Sequence, residues 1–177
     1  VTGLGVVVAA DADDALNITV DGGTASVADL KTIDAQTALK VKVYAEKVTA
    51  ADFAEFESIY VINKNNFSSL GDENIIIDAA AADMNSAKAD IVAKATSKVA
   101  KATIAGESAA SVVTNLKNAN AKDAFTINLT NVATSAKDLL TLDGKTSVTV
   151  KAGAITAAIT GTVAEVNKLL VADVTLA

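Results

Sequence analysis

The sequence predicts an α/β fold: a short, solenoid-like stack of about three β-α-β-α repeats with parallel strands. Three observations carry this expectation. Short β-branched runs alternate with Ala-rich helical runs, helix-start signatures recur in pairs, and the opening β-like runs return at a period of about 50 residues. Strands joined through helices run parallel with right-handed crossovers, and stacking then buries the apolar stripes. A compact two-layer α/β domain is the alternative arrangement of the same elements.

Residues 1–16 form a lead-in that holds the longest uninterrupted apolar stretch, Val6 to Ala10. Repeat 1 spans 17–73, repeat 2 spans 74–124, repeat 3 spans 125–172, and 173–177 opens a possible fourth. Each repeat begins with a β-like run: Asn17 to Val20, Asn74 to Asp78, Phe125 to Leu129, and then Asp173 to Leu176. A second strand lies between the two helices of each repeat, at Leu39 to Tyr44, Val99 to Ile104, and Ser147 to Val150 continuing towards Ile159.

Helix starts are marked by Ser or Thr followed three positions later by an acid, which satisfies free N–H groups and sets negative charge at the positive helix end. The signature occurs at Ser26/Asp29, Thr49/Asp52, Ser135/Asp138 and Thr162/Glu165. In the middle repeat, Ser86 and Ser108 take the same place with Ala89 and Ser111 instead of acids. Behind the caps, Val27-Leu30-Ile33, Ala50-Phe53-Phe56, Ala136-Leu139-Leu142 and Val163-Val166-Leu169 each follow a helical stripe. Gly106 and Gly161, each two residues after an Ile, permit a tight turn into the following helix.

Composition removes many activities. The chain of 177 residues has no His, Cys, Pro, Trp or Arg, so usual zinc, haem, iron–sulfur and copper sites, Cys nucleophiles and Ser/His/Asp triads are excluded. A net charge of −6, with Lys scattered among more numerous acids, argues against nucleic acid and anionic membranes as partners. No segment approaches the roughly 20 apolar residues of a membrane span. Val1 in place of an initiator Met, with no basic segment ahead of Val6, predicts an excised or processed piece, and the incomplete repeat at Asp173 to Ala177 predicts a parent protein that continues beyond it.

The candidate sites are few. Asp11, Asp13 and Asp14, with Asp21 nearby, are the best metal candidate, their carboxylates suited to calcium, but the leading reading is a solvated acidic loop and no other cofactor is expected. Asp72-Glu73 with Asp78 is a poorer set of the same kind. Tyr44 and Tyr60 are the exposed aromatic candidates for ligand binding, whereas Phe53 and Phe56 fall on the core stripe. Gly144-Lys145-Thr146 lacks the earlier Gly of a phosphate loop, since Leu139 stands there. Asn17, Asn66 and Asn128 each open an Asn-x-Ser/Thr sequence, of consequence only in a eukaryotic secretory pathway. A carboxylate-based glycoside hydrolase is the weakest of the functional readings, because no acid pair has a distinctive context.

With its Ala/Thr/Val-rich units, the helix Asp29-Leu-Lys-Thr-Ile-Asp34 and the segment Ile159-Thr-Gly-Thr-Val-Ala-Glu165-Val, the chain resembles repeat regions of giant bacterial proteins. These are surface-layer, adhesin and hemolysin-type secreted proteins, notably cyanobacterial ones, and the resemblance covers most of Ile18 to Ala177. It implies an extracellular, cell-surface location and a noncatalytic structural role as spacer, display or assembly module. Partners would be neighbouring repeats or like chains, and possible surface polysaccharide. A carbohydrate- or calcium-binding module of a secreted adhesin is the alternative. The Gly-Gly-x-Gly-x-Asp nonapeptide of hemolysin-type modules is not present, and no family site is carried over.

Overall fold

A computed structural model describes residues 13–78 and 84–176. Its strands pair in parallel and are joined through helices, so the α/β class with parallel sheets holds. The chain divides into two compact units, the described part of Val1–Asp78 with Ala95–Lys98, and the described part of Ala79–Lys94 with Val99–Ala177.

The first unit contains β1 (Thr19–Asp21), β2 (Thr24–Ser26), α1 (Val27–Asp34), β3 (Val41–Tyr44), β4 (Lys47–Ala50), α2 (Phe53–Glu57), β5 (Phe67–Ser68) and β6 (Asn74–Ile77). Between α2 and β5 lie a wide helical turn, Ser58–Ile62, and a tight one, Lys64–Asn66. Strands β1, β3 and β5 form one parallel ladder, and β2, β4 and β6 form another. The partners stand 23 residues apart at Thr24 and Lys47, and 27 apart at Lys47 and Asn74. One full turn of chain therefore separates neighbouring strands.

Each β-like run of this unit is joined at a corner to a second short strand. Between β1 and β2 the chain bends at Gly22 and Gly23, both at positive φ, near 60°. The same corner falls at Ala45 and Glu46 between β3 and β4, and at Ser69 to Glu73 between β5 and β6. A side chain at Gly71 would be strained, because its φ is 106 and a Cβ would lie 3.1 Å from the Ala95 carbonyl.

The second unit contains α3 (Ser86–Ala95, all but its last residue), β7 (Ala100–Glu107), α4 (Ala109–Asn115), β8 (Ala124–Leu129), β9 (Thr134–Ser135), α5 (Ala136–Asp143), β10 (Val150–Lys151), β11 (Ile159–Thr160), α6 (Val163–Leu169) and β12 (Val174–Thr175). Strands β7, β8, β10 and β12 pair in that order, and β9 pairs with β11, all in parallel. Helix α5 packs between α4 and α6. Gly161 lets the link from β11 to α6 run close to α5, since a Cβ there would sit 3.0 Å from that of Ala136.

The apolar stripes supply the cores except on α6, where of Val163, Val166 and Leu169 only Leu169 is buried and Val163 is 77% exposed. Val27, Leu30, Phe53 and Phe56 are buried in the first unit, as are Ala136, Leu139, Leu142 and Leu169 in the second. Alternation does the same on the strands, turning Val41 and Val43 of β3 and Phe125, Ile127 and Leu129 of β8 inward.

The expected helix starts hold at Ser26, Ser108, Ser135 and Thr162, whose hydroxyls accept from the N–H groups of Asp29, Ser111, Asp138 and Glu165. Two expectations are corrected. Thr49 lies in β4, and Asp52 caps α2 by accepting from Glu55 N at 2.7 Å, because Asp52/Glu55 is the same signature set three residues later. Ser86 is buried, and Asn85 Oδ1 accepts from Lys88 N at 2.9 Å at the start of α3.

One polar device recurs. Thr37 Oγ1 accepts from Leu39 N and donates to Leu16 O, 21 residues earlier, at 2.7 Å. Thr96 Oγ1 accepts from Lys98 N and donates to Glu73 O, 23 residues earlier, at 2.5 Å. Thr146 Oγ1 accepts from Val148 N and donates to Phe125 O, 21 residues earlier, at 2.8 Å. Each hydroxyl thus satisfies an N–H of its own turn and ties it to the preceding one.

Candidate functional site

The outer face of the β1-β3-β5 ladder brings two of the predicted site residues together. Parallel pairing sets Asp21 opposite Tyr44, and the strand alternation turns both outward with Thr19 and Lys42. Tyr44 is 55% exposed, as the sequence reading expects. Beside it is a shallow recess of about 100 Å³ lined by Val43, Tyr44, Ala45, Ser69, Asp72 and Glu73. Asp72 on its rim accepts from Ser97 Oγ at 2.8 Å and pairs with Lys98 at 3.5 Å, and these two contacts hold its exposed carboxyl below the usual carboxylate value.

Tyr60 is not exposed, contrary to the sequence reading. It lies on the wide turn after α2, only 5% exposed, stacked on Phe56 with ring centroids 4.8 Å apart, and its hydroxyl donates to Glu73 Oε1. Burial, followed by the facing Glu73 carboxylate, pushes the Tyr60 phenol far above its ordinary value of 10.0. Glu73, itself 1% exposed, also accepts from Gly71 N and Asp72 N, both at 2.9 Å. Its carboxylate is therefore spent on holding the β5-β6 corner. Phe53, Phe56 and Phe67 are buried as Tyr60 is, whereas Tyr44 is exposed.

The acidic loop is partly described. Asp11 lies outside the described residues. Asp13 and Asp14 are exposed, and the Asp14 carbonyl accepts from Ala38 N at 2.8 Å, so the loop is docked through its backbone. Among the described residues no group of three Asp or Glu side chains is placed to hold a metal ion, and Asp13, Asp14 and Asp21 form no such cluster. Neither do Asp72, Glu73 and Asp78.

Sequence reasoning missed three features. Buried Asp123 accepts from Ala100 N and Asn120 N, both at 2.9 Å, and joins two turns as Glu73 joins its own corner. Glu107 accepts from Ser86 Oγ at 2.8 Å and Ser111 Oγ at 2.9 Å, linking the starts of α3 and α4. A groove of about 450 Å³ runs past Asp34, Leu39, Lys40, Asn65 and Asn66, with Asn66 Nδ2 donating to Asp34 at 2.9 Å. The spacing of Asp14, Glu73, Asp123 and Asp173, by 59, 50 and 50 residues at the heads of the β-like runs, is the sequence signal for the first of these.

Gly144-Lys145-Thr146 serves the fold: Lys145 Nζ donates to Lys117 O at 3.1 Å, and Thr146 forms the tie described above. Fold and sites define an α/β protein of parallel sheets in which, among the described residues, every buried polar side-chain atom has a hydrogen-bond partner. No family model matches the sequence, and neither a curated protein nor a solved structure shows a significant match. Among the described residues no helix is long and apolar enough to cross a membrane.

Proposed function

We propose that this chain is a noncatalytic structural repeat segment of a large extracellular bacterial surface protein, a spacer, display or assembly module whose turns stack in solenoid-like fashion. The observation that supports it is the recurring Thr tie at Thr37, Thr96 and Thr146, spaced 59 and 50 residues apart, each binding one turn of chain to the turn before. Buried Glu73 and Asp123 belong to the same scheme, their side chains occupied at corners and their carbonyls accepting from the next turn. Side chains so occupied contribute to shape and stiffness.

A second reading has one observation in its favour. Tyr44 presents an aromatic face beside Asp21 and a recess, which suits a carbohydrate ring stacked on the tyrosine. The chain has no Trp, so its emission is that of Tyr44 and Tyr60, and only Tyr44 is open to a ligand. Titration with bacterial surface polysaccharide fragments, followed by tyrosine emission, separates the two. The structural reading expects a flat response. A saturable change abolished by Tyr44→Ala would replace it with the binding module.

A further inference from the structure

We infer that the groove between the end of α1 and the tight turn Lys64–Asn66 binds a neutral saccharide through adjacent hydroxyls; this activity goes beyond the structural role and does not depend on it. The groove lies wholly within the first unit. Its volume of about 450 Å³ falls inside the range of roughly 300–1,000 Å³ for small-molecule sites.

The walls are fixed before any ligand arrives. Thr37, 6% exposed, accepts from Leu39 N at 3.0 Å and donates to Leu16 O at 2.7 Å, while Ala38 N donates to Asp14 O at 2.8 Å. On the facing side Asn66 N donates to Asn63 O at 2.9 Å, which closes the tight turn. Asn66 Nδ2 then reaches across to Asp34 Oδ2 at 2.9 Å, joining two turns of chain 32 residues apart. Walls held in this way lose little freedom on binding.

The polar capacity that remains matches a polyol. Asp34 gives Asn66 one oxygen and keeps the other, and Asn66 keeps its Oδ1 and a second N–H. The pair offers acceptors and a donor side by side, and adjacent sugar hydroxyls each donate and accept. In the second unit the similar pair Asp90 and Asn118 is closed on itself, because both carboxylate oxygens are taken, by Asn118 N at 2.5 Å and by its Nδ2 at 2.7 Å. Asn65 adds an exposed amide to the groove, and Leu39, 38% exposed, forms with Ala38 an aliphatic patch for the C–H face of a ring. Asp34 and Lys40 bring one charge of each sign, so the groove has no excess with which to draw an ion.

None of the lining residues is aromatic, so amide NMR rather than tyrosine emission is the readout. The 177-residue chain is titrated with maltose, lactose, cellobiose or diacetylchitobiose to tens of millimolar. The expected result, for at least one of these sugars, is a set of saturable shifts at residues 34–40 and 65–66 that includes the side-chain amides of Asn65 and Asn66. Asn65→Ala and Asn66→Ala, both at exposed positions, are expected to weaken that binding at least tenfold with the rest of the spectrum unchanged, while Tyr44→Ala leaves it intact. Binding indifferent to both Asn substitutions would overturn the inference, as would saturation of the same amides by acetate or ammonium ions alone. Shifts centred on Tyr44 would overturn both this site and the structural reading. A flat response to all four sugars would remove this site and leave the structural reading standing.

Discussion

A glutamate that is 1% exposed is costly unless its oxygens are occupied, and Glu73 has a phenol and two backbone N–H groups to occupy them. Tyr60→Phe removes one of these donors and keeps the ring on Phe56. The expected loss is about 1.5–3 kcal/mol near neutral pH, the range for hydrogen bonds to charged groups. The pH dependence has a definite sign. The folded phenol holds its proton far above 10.0, while the phenol of the unfolded chain ionises near that value. Its contribution is therefore complete below about pH 10 and falls away above it, by up to about 1.4 kcal/mol per pH unit. Urea melts of the two proteins from pH 8 upward should differ most at the lower values and converge as the solution becomes more alkaline. A gap that stayed constant above pH 10 would mean that Tyr60 ionises alike in both states.

At the scale of single elements, the Thr tie makes a sharper demand than the helix caps. Thr146 is 5% exposed, and its hydroxyl both donates to Phe125 O and accepts from Val148 N. Thr146→Val keeps the shape but strands a half-buried N–H and a buried carbonyl, with an expected loss of about 1–3 kcal/mol in thermal or urea melts, whereas Thr146→Ser keeps both bonds and should lose less. Equal losses in the two variants would assign the effect to packing of the methyl group. This tie was legible in outline, since the β-like runs and their period are visible in the sequence, but its residues look like ordinary strand threonines. Caps at Ser26, Ser135 and Thr162 were legible because the acid three residues on has no rival. At Thr49 two signatures overlap, and the one at Asp52 wins because Thr49 is held in the ladder opposite Ile76. Strands β2, β5 and β9, two or three residues long, carry no periodicity to read. Tyr60 was misjudged for a related reason: the wide turn after α2 breaks the helical spacing and swings the ring back onto Phe56.

For the whole molecule, the distribution of its acids decides how it should respond to calcium. The 21 acids are numerous enough to suggest ion binding, yet those buried among the described residues, Glu73 and Asp123, are occupied by internal donors. The described members of the acidic loop, Asp13, Asp14 and Asp21, form no cluster fit for an ion. A site that bound calcium only in the folded state would raise stability by about 1.4 kcal/mol at a tenfold excess over its dissociation constant, and by about 2.7 at a hundredfold excess. Diffuse surface acids give only a weak screening effect that magnesium or sodium at equal ionic strength reproduces. Thermal melts in chelator, in millimolar calcium and in magnesium of matched ionic strength should therefore coincide. A saturable rise specific to calcium would point to Asp11 acting with Asp13 and Asp14, and substitution of Asp13 by Asn should then abolish it. Coincident melts would leave stability in the hands of the parallel ladders, their aliphatic cores and the threonine ties, all of which are indifferent to metal.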